Sequence, residues 1–144
     1  MKKINPMQCP CGSGFLYNAC CQPYHRYDQY PATPEQLMRS RYSAYVLRNV
    51  RYIINTTHRD NESYQANKGA WERTLKQFLS KADYMGLRVM SSEVNDTDDE
   101  GYVSFIALLI YDGKEASFSE KSRFVKENNK WLYVDGETLP LKKS

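Results

Sequence analysis

Apolar side chains recur at helical spacing in two stretches between residues 38 and 82. Residues 38–46 and 71–82 both keep intervals of three and four between apolar positions. Thr33-Pro34-Glu35-Gln36 precedes the first stretch with the order of a helix start: a threonine N-cap, a proline at the first position and a glutamine completing a capping box. Asn49 interrupts the pattern, and a short second segment follows it. The sequence therefore predicts a helix from Pro34, a short helix after Asn49 and a third helix over roughly 70–82.

The second half of the chain switches to patterns that are typical of strands. Residues 102–111 are apolar on both faces, which predicts a central strand, and residues 114–126 alternate. Asp112-Gly113 between them is a strong hairpin signal. Shorter strands are expected at 87–90 and 131–134. Helices followed by an antiparallel meander predict an α+β fold and not a doubly wound sheet.

The composition is that of a folded domain, with 144 residues, 41% hydrophobic and 26% charged. The net charge of +3 is too small to indicate nucleic-acid binding by itself. Its distribution is uneven, because residues 1–60 carry eight basic and three acidic side chains. The longest apolar run is far shorter than the roughly 20 residues that cross a bilayer, and no signal peptide is recognisable. We therefore expect a cytoplasmic protein with reduced thiols.

The four cysteines of the chain lie within thirteen residues, as Cys9, Cys11, Cys20 and Cys21. Four thiolates from one loop can enclose a zinc ion tetrahedrally, and a site without an open position is structural. Two disulfides are the alternative, but a reducing compartment argues against them. His25 is the second choice as fourth ligand, in place of Cys21. The clustering predicts one structural zinc ion.

The same segment resembles the SEC-C motif, in the residues Cys9-Pro10-Cys11-Gly12-Ser13-Gly14, Tyr17 and Cys20-Cys21. That motif is named for the zinc tail of the preprotein translocase motor, where it contacts a secretory chaperone. The resemblance implies zinc on the four cysteines and a protein partner for the zinc-bound segment, with Lys2, Lys3 and Arg26 as an adjoining basic surface. The motif usually has lysine where Phe15 stands here, a change that removes a positive charge near the thiolates.

A second resemblance covers nearly the whole chain. Leu37-Met38-Arg39-Ser40-Arg41-Tyr42-Ser43-Ala44-Tyr45, Glu120-Lys121-Ser122-Arg123-Phe124-Val125 and Trp131-Leu132-Tyr133-Val134-Asp135-Gly136 are similar to the YchJ family of bacterial proteins. Its members join a SEC-C motif to a nuclear transport factor 2-like (cystatin-like) cone, in which helices pack on a curved antiparallel sheet. The resemblance implies a zinc motif over residues 1–30 and a cone domain over residues 31–144. It implies no particular reaction.

Glu120 stands out as a carboxylate on an otherwise apolar strand face. If this face looks into the cone, the charge needs a partner or water, because an isolated buried charge is costly. Arg41 is the candidate partner, and further residues could line the same cavity: Tyr42, Tyr45, His58, Trp71 and Trp131. His58 with Asp60 could do acid–base chemistry, but a structural ion pair and a capped loop are the more common roles, so no catalytic residue is assigned.

These observations favour a zinc-containing, non-catalytic binding protein that uses its cysteine segment for a protein partner. A small-molecule carrier or an enzyme using the cone is the alternative. Nucleic-acid or ribosome binding is a further alternative, because one segment of the chain mixes arginines with tyrosines. Arginines can contact phosphates, and nucleic-acid bases can stack on tyrosine. The residues concerned are Arg39, Arg41, Arg48, Arg51, Tyr42, Tyr45 and Tyr52.

Overall fold

The N-terminal segment folds into a short turn-rich unit that contains the four cysteines, and the long helix follows it. In the computed structural model, which describes residues 7–141, a 3₁₀ turn at Tyr17–Ala19 leads into the single helical turn α1, Gln22–His25. We call residues 7–25 the knuckle. Lys2 and Lys3, which the sequence places beside the knuckle, lie outside the described residues.

The predicted helix start is confirmed in α2, Pro34–Leu47. Thr33 Oγ1 accepts a hydrogen bond from the Gln36 N–H at 3.1 Å, and Gln36 Oε1 accepts one from the Ala32 N–H at 2.8 Å. The capping box is therefore closed one residue earlier than the usual pattern. Arg48 ends the helix in a left-handed conformation, with φ of 60°.

Two shorter helices follow, each capped by an asparagine side chain. Asn49 is the N-cap of α3, Val50–Asn55, and Asn67 is the N-cap of α4, Lys68–Leu79. The prediction of a helix over 70–82 is wrong at its C-terminal end. Ala82 already belongs to the sheet, where it pairs with Tyr111, because its apolar side chain fits both a helix face and the buried face of a strand.

The strands form an antiparallel sheet in the order β1-β2-β4-β5. Their bounds are β1 Ala82–Val94, β2 Glu100–Tyr111, β3 Lys114–Glu115, β4 Phe118–Glu127 and β5 Lys130–Leu139. The hairpin at Asp112-Gly113 is confirmed, with positive φ at both residues. The single strand predicted over 114–126 is interrupted at residues 116 and 117, where Ser117 Oγ accepts the Leu109 N–H at 3.0 Å.

The helices cover one face of this sheet, which confirms the α+β prediction of helices packed on an antiparallel sheet. Val103, Phe105 and Ala107 of β2 pack with Leu37 and Met38 of α2 in the main core. Burying one such large apolar side chain contributes about 1.5–3 kcal/mol. None of the helices within residues 7–141 is long and apolar enough to cross a bilayer.

Gly101 sets how closely α2 approaches the sheet. A Cβ atom at this position would collide with the ring of Pro34, the first residue of α2, and would lie 2.9 Å from the Glu93 carbonyl oxygen. The absence of a side chain at Gly101 therefore allows the start of α2 to rest directly on β2.

We expect Gly101→Ala to lower the free energy of unfolding by about 1–3 kcal/mol, since the helix start must move away from the sheet. Gly69→Ala in α4 is the matched control. Its new methyl group would meet no atom closer than 3.5 Å, and alanine is favoured over glycine in a helix. Urea unfolding of both variants measures the difference, and equal stability of the two would contradict the close-approach role of Gly101.

Candidate metal centre and cone cavity

The four cysteine sulfurs of the knuckle converge on one point. The Sγ atoms of Cys9, Cys11, Cys20 and Cys21 all lie within 4.8 Å of one another. The Cys11–Cys20 and Cys20–Cys21 Sγ pairs are 3.6 Å and 3.9 Å apart. Four sulfurs at about 2.3 Å from one tetrahedral ion would be about 3.8 Å apart, whereas a disulfide needs about 2.05 Å. The cysteines are free, and their spacing fits a single tetrahedral metal ion.

Local backbone geometry explains how so short a segment brings four sulfurs together. The Gly12 N–H donates to the Cys9 carbonyl at 3.2 Å, and Gly12 and Gly14 have φ of 77° and 89°. This turn reverses the chain, so that the Cys9 N–H donates to the Phe15 carbonyl at 2.9 Å. Positive φ favours glycine at both positions.

The thiols influence one another's protonation. Hydrogen bonds, first from Cys21 and then from Ser13 and Cys9, hold the pKa of the Cys11 thiol well below its ordinary value. Burial raises the pKa of Cys20, and the hydrogen bond with Cys11 raises that of Cys21. Of these three thiols, Cys11 therefore gives up its proton most readily.

His25 does not join this group, although the sequence allowed it to replace Cys21. Its Nε2 lies 2.8 Å from the Ser40 carbonyl oxygen and its Nδ1 lies 2.6 Å from the Tyr17 hydroxyl. Burial lowers the pKa of His25, so the neutral ring donates from Nε2 and accepts at Nδ1. Both nitrogens are engaged, and His25 anchors the knuckle to α2.

Two more contacts from α2 hold the knuckle, and sequence reasoning missed both. Arg39 Nη1 donates to the Cys11 carbonyl at 2.8 Å, and Ser43 Oγ lies 3.4 Å from Cys9 Sγ. With Arg39 on the knuckle and Arg41 buried, Arg48 and Arg51 are the exposed arginines of this segment.

A cavity of about 590 Å³ opens between α2, α4 and the helix-facing side of the sheet. Five of the seven residues proposed from sequence line it, namely Arg41, Tyr42, Tyr45, Trp71 and Glu120. The sequence argument missed Tyr84 and Tyr133. Tyr84 precedes the strand predicted at 87–90, and Tyr133 lies on the predicted strand 131–134, from which Trp131 was chosen instead.

Arg41 and Glu120 do not form the expected ion pair. Tyr133 lies between them: its hydroxyl donates to Glu120 Oε2 at 3.0 Å, and the Arg41 guanidinium carbon lies 4.8 Å from the centre of its ring. Ser122 Oγ also donates to Glu120 Oε2. Burial and the neighbouring Glu120 charge raise the pKa of Tyr133, which keeps its hydroxyl protonated as a donor.

His58 and Trp131 lie outside this cavity. The Asp60 N–H donates to His58 Nδ1 at 3.0 Å, so Nε2 carries the proton and donates to Glu127 Oε1 at 2.9 Å. His58 therefore fastens the loop after α3 to β4. The Trp131 Nε1–H donates to the Ala32 carbonyl at 3.2 Å, which ties β5 to the segment before α2.

Comparison with known proteins gives consistent matches over most of the chain. A family model described as the middle nuclear transport factor 2-like domain of YchJ matches residues 33–136. A UPF0225 protein of Serratia proteamaculans is 40% identical over 133 residues, covering 91% of this chain and 83% of that protein.

Solved structures agree with these matches. A SEC-C motif containing protein from Rhodopseudomonas palustris superposes with a TM-score of 0.77 and 34% identity, covering 93% of this chain and all of the other. A second one, from Psychrobacter arcticus, has a TM-score of 0.67 and 29% identity, with 94% and 84% covered.

Gly136 gives a direct test of where Glu120 lies. A Cβ atom at Gly136 of β5 would collide with the Glu120 carboxyl group. We expect Gly136→Ala to cost about 1–3 kcal/mol of stability, because the carboxylate must leave its two hydroxyl donors. In a Glu120→Ala background the same change should cost less than about 0.5 kcal/mol. Urea unfolding of the four proteins completes the cycle, and equal costs in both backgrounds would contradict the contact.

Proposed function

We propose that this chain, which belongs to the YchJ family, also named UPF0225, is a zinc-stabilised, non-catalytic binding protein. In this proposal the knuckle docks a protein partner. Zinc is favoured by the donor set. Four sulfurs at tetrahedral spacing suit this ion. The ion would be held by Cys9, Cys11, Cys20 and Cys21 and would stabilise the knuckle. Since all four positions would be filled by protein, none remains for a substrate.

The exposed apolar tip of the knuckle carries the proposal of a partner. Met7, Phe15 and Leu16 are 48%, 66% and 40% exposed. They lie on adjacent chain segments, because Leu16 pairs with Gln8 and the Tyr17 N–H donates to the Met7 carbonyl at 2.8 Å. Exposed apolar side chains held together on a rigid turn are typical of protein–protein contact sites. Phe15 stands where SEC-C motifs usually have lysine, so the tip favours an apolar partner surface over an acidic one.

The zinc site predicts a pH dependence with a definite sign. Because the pKa values of Cys20 and Cys21 are raised and zinc binds thiolates, zinc binding must displace protons, and the affinity for zinc must rise with pH. We expect about one zinc per chain by mass spectrometry when purification avoids chelators. Calorimetry of zinc binding in buffers of different ionisation enthalpy measures the protons released.

The double variant Cys20→Ser with Cys21→Ser is the control and should lose the metal. A metal-free wild-type protein with four reactive thiols would contradict the zinc site and turn the cysteines into redox candidates.

The partner proposal is tested by replacing apolar side chains of the tip while leaving the metal ligands in place. Phe15→Ser with Leu16→Ser keeps all four cysteines. Met85→Ser with Met90→Ser on β1 is the matched control, since these side chains are also 64% and 49% exposed. After crosslinking in cells, one protein should be captured by wild type and by the β1 control. Capture by the tip variant should fall about tenfold or more, as expected for two lost apolar contacts.

Metal content of the tip variant confirms that its knuckle is intact. Equal capture by the tip variant and wild type would overturn the proposed docking site while leaving the zinc prediction unaffected.

A further inference from the structure

The cone cavity has the features of a ligand site that is separate from the knuckle. Its volume of about 590 Å³ lies within the range of about 300–1,000 Å³ in which proteins hold small molecules. Apolar and aromatic side chains supply most of its walls, among them Trp71, Phe105 and Phe118. Three charged residues line the cavity, namely Arg41, Glu62 and Glu120. Glu62 is exposed to solvent, which screens its charge, whereas Arg41 is buried and Glu120 is half-buried. Arg41 and Glu120 therefore decide which ligand fits.

Arg41 is the first of these groups. The residue is only 7% exposed, and its protein hydrogen bonds all leave from one nitrogen. Nη1 donates to the Ile53 carbonyl at 3.0 Å, to Thr56 Oγ1 at 2.7 Å and to Thr57 Oγ1 at 3.1 Å. These bonds fix the guanidinium plane at the C-terminal end of α3.

The other two nitrogens of Arg41 remain available. Among residues 7–141, Nε and Nη2 have no hydrogen-bond partner, and no carboxylate lies within ion-pair distance of the guanidinium. No fully buried side-chain nitrogen in that part of the chain lacks a partner. Nε and Nη2 are therefore open to the cavity that Arg41 lines. They form the fork of parallel donors that matches a carboxylate.

Glu120 limits the total charge of the ligand. It occupies the hydroxyl end of Tyr133, whereas Arg41 lies over the ring face, so both charges border one cavity. Oε2 accepts from Tyr133 and Ser122, and Oε1 has no partner among the described residues. A fixed negative charge here disfavours a second negative charge on the ligand.

From this arrangement we infer that the cone cavity binds a small monocarboxylic acid with an aromatic or apolar body. The carboxylate lies on the Nε–Nη2 fork of Arg41, and the body packs between the tyrosine wall and α4. Tyr42, Tyr84 and Tyr45 form that wall. The ring centre of Tyr84 lies 5.7 Å from that of Tyr42 and 5.6 Å from that of Tyr45. A neutral molecule of the same shape should bind more weakly, because it gives the buried Arg41 cation no counter-charge. A phosphate dianion should bind more weakly because its second negative charge is repelled by Glu120.

The test uses the zinc-loaded full chain and three matched probes. These are phenylacetate, its neutral amide phenylacetamide and the dianion phenyl phosphate, with 3-phenylpropionate and indole-3-acetate and their amides as further pairs. Ligand-observed NMR gives the affinities. We expect an acid to bind with a dissociation constant of about 1 mM or below, and its amide and phenyl phosphate to bind at least about tenfold more weakly.

Three variants assign the binding to this cavity. Arg41→Lys keeps the charge but loses the fork, and it should weaken the acid at least about tenfold. Ala107→Leu fills space beside the ligand and should weaken acids and amides together. Arg51→Lys, at an exposed position, is the matched control and should bind as wild type does. Thermal melting and two-dimensional NMR spectra show that each variant is folded.

Several outcomes would overturn the inference. These are failure of every acid to bind at about 5 mM, equal affinity of acids and amides, tighter binding of phenyl phosphate than of the acids, and undiminished binding by a folded Ala107→Leu variant. If Arg41→Lys does not fold, the acid–amide difference in wild type and the Ala107→Leu result still decide the matter.

Discussion

The burial of α2 on nearly every side is the constraint on which the rest of the structure depends. A helix in this position must still satisfy its polar side chains, because an unpaired buried polar group costs about 1–3 kcal/mol. Together they hold two other parts of the chain, the knuckle and α3. Arg39 and Ser43 reach the knuckle, Ser40 bonds the Tyr52 hydroxyl of α3 at 2.7 Å, and Arg41 binds the end of α3. The packing of the knuckle on the cone is therefore built from the polar residues of one helix.

The positions of the two charges in the cone cavity depend on how the end of α3 pairs with β5. The segment at the end of α3 pairs with β5, since the His58 N–H donates to the Tyr133 carbonyl and the Tyr133 N–H donates to that of Thr56. This pairing brings Tyr133 under Arg41 and beside Glu120. One tyrosine thus separates two opposite charges that would otherwise neutralise each other. The separation leaves both charges available to a third group inside the cavity.

Knuckle and cavity make different chemical demands and lie on different sides of α2. The knuckle presents soft sulfur donors at tetrahedral spacing, which would fill every position of a tetrahedral ion with protein. The cavity keeps donors and an acceptor unpaired in an apolar enclosure of about 590 Å³. His25 illustrates the division, because its ring nitrogens serve the contact between knuckle and helix and coordinate nothing. Binding at one site does not require the chemistry of the other.

The sequence by itself determined the elements whose signals are local. The Thr33 cap, the Asp112-Gly113 hairpin and the clustering of four cysteines each depend on residues close together in the chain, and the structure contains all three features. Tertiary contacts decided the rest. Ala82 pairs with a strand and not with the end of α4. Arg41 and Glu120 line one cavity yet do not touch, because Tyr133 reaches between them from a distant strand. Spacing along a chain reports which face a residue occupies, but which groups meet across that face is set only when the elements pack.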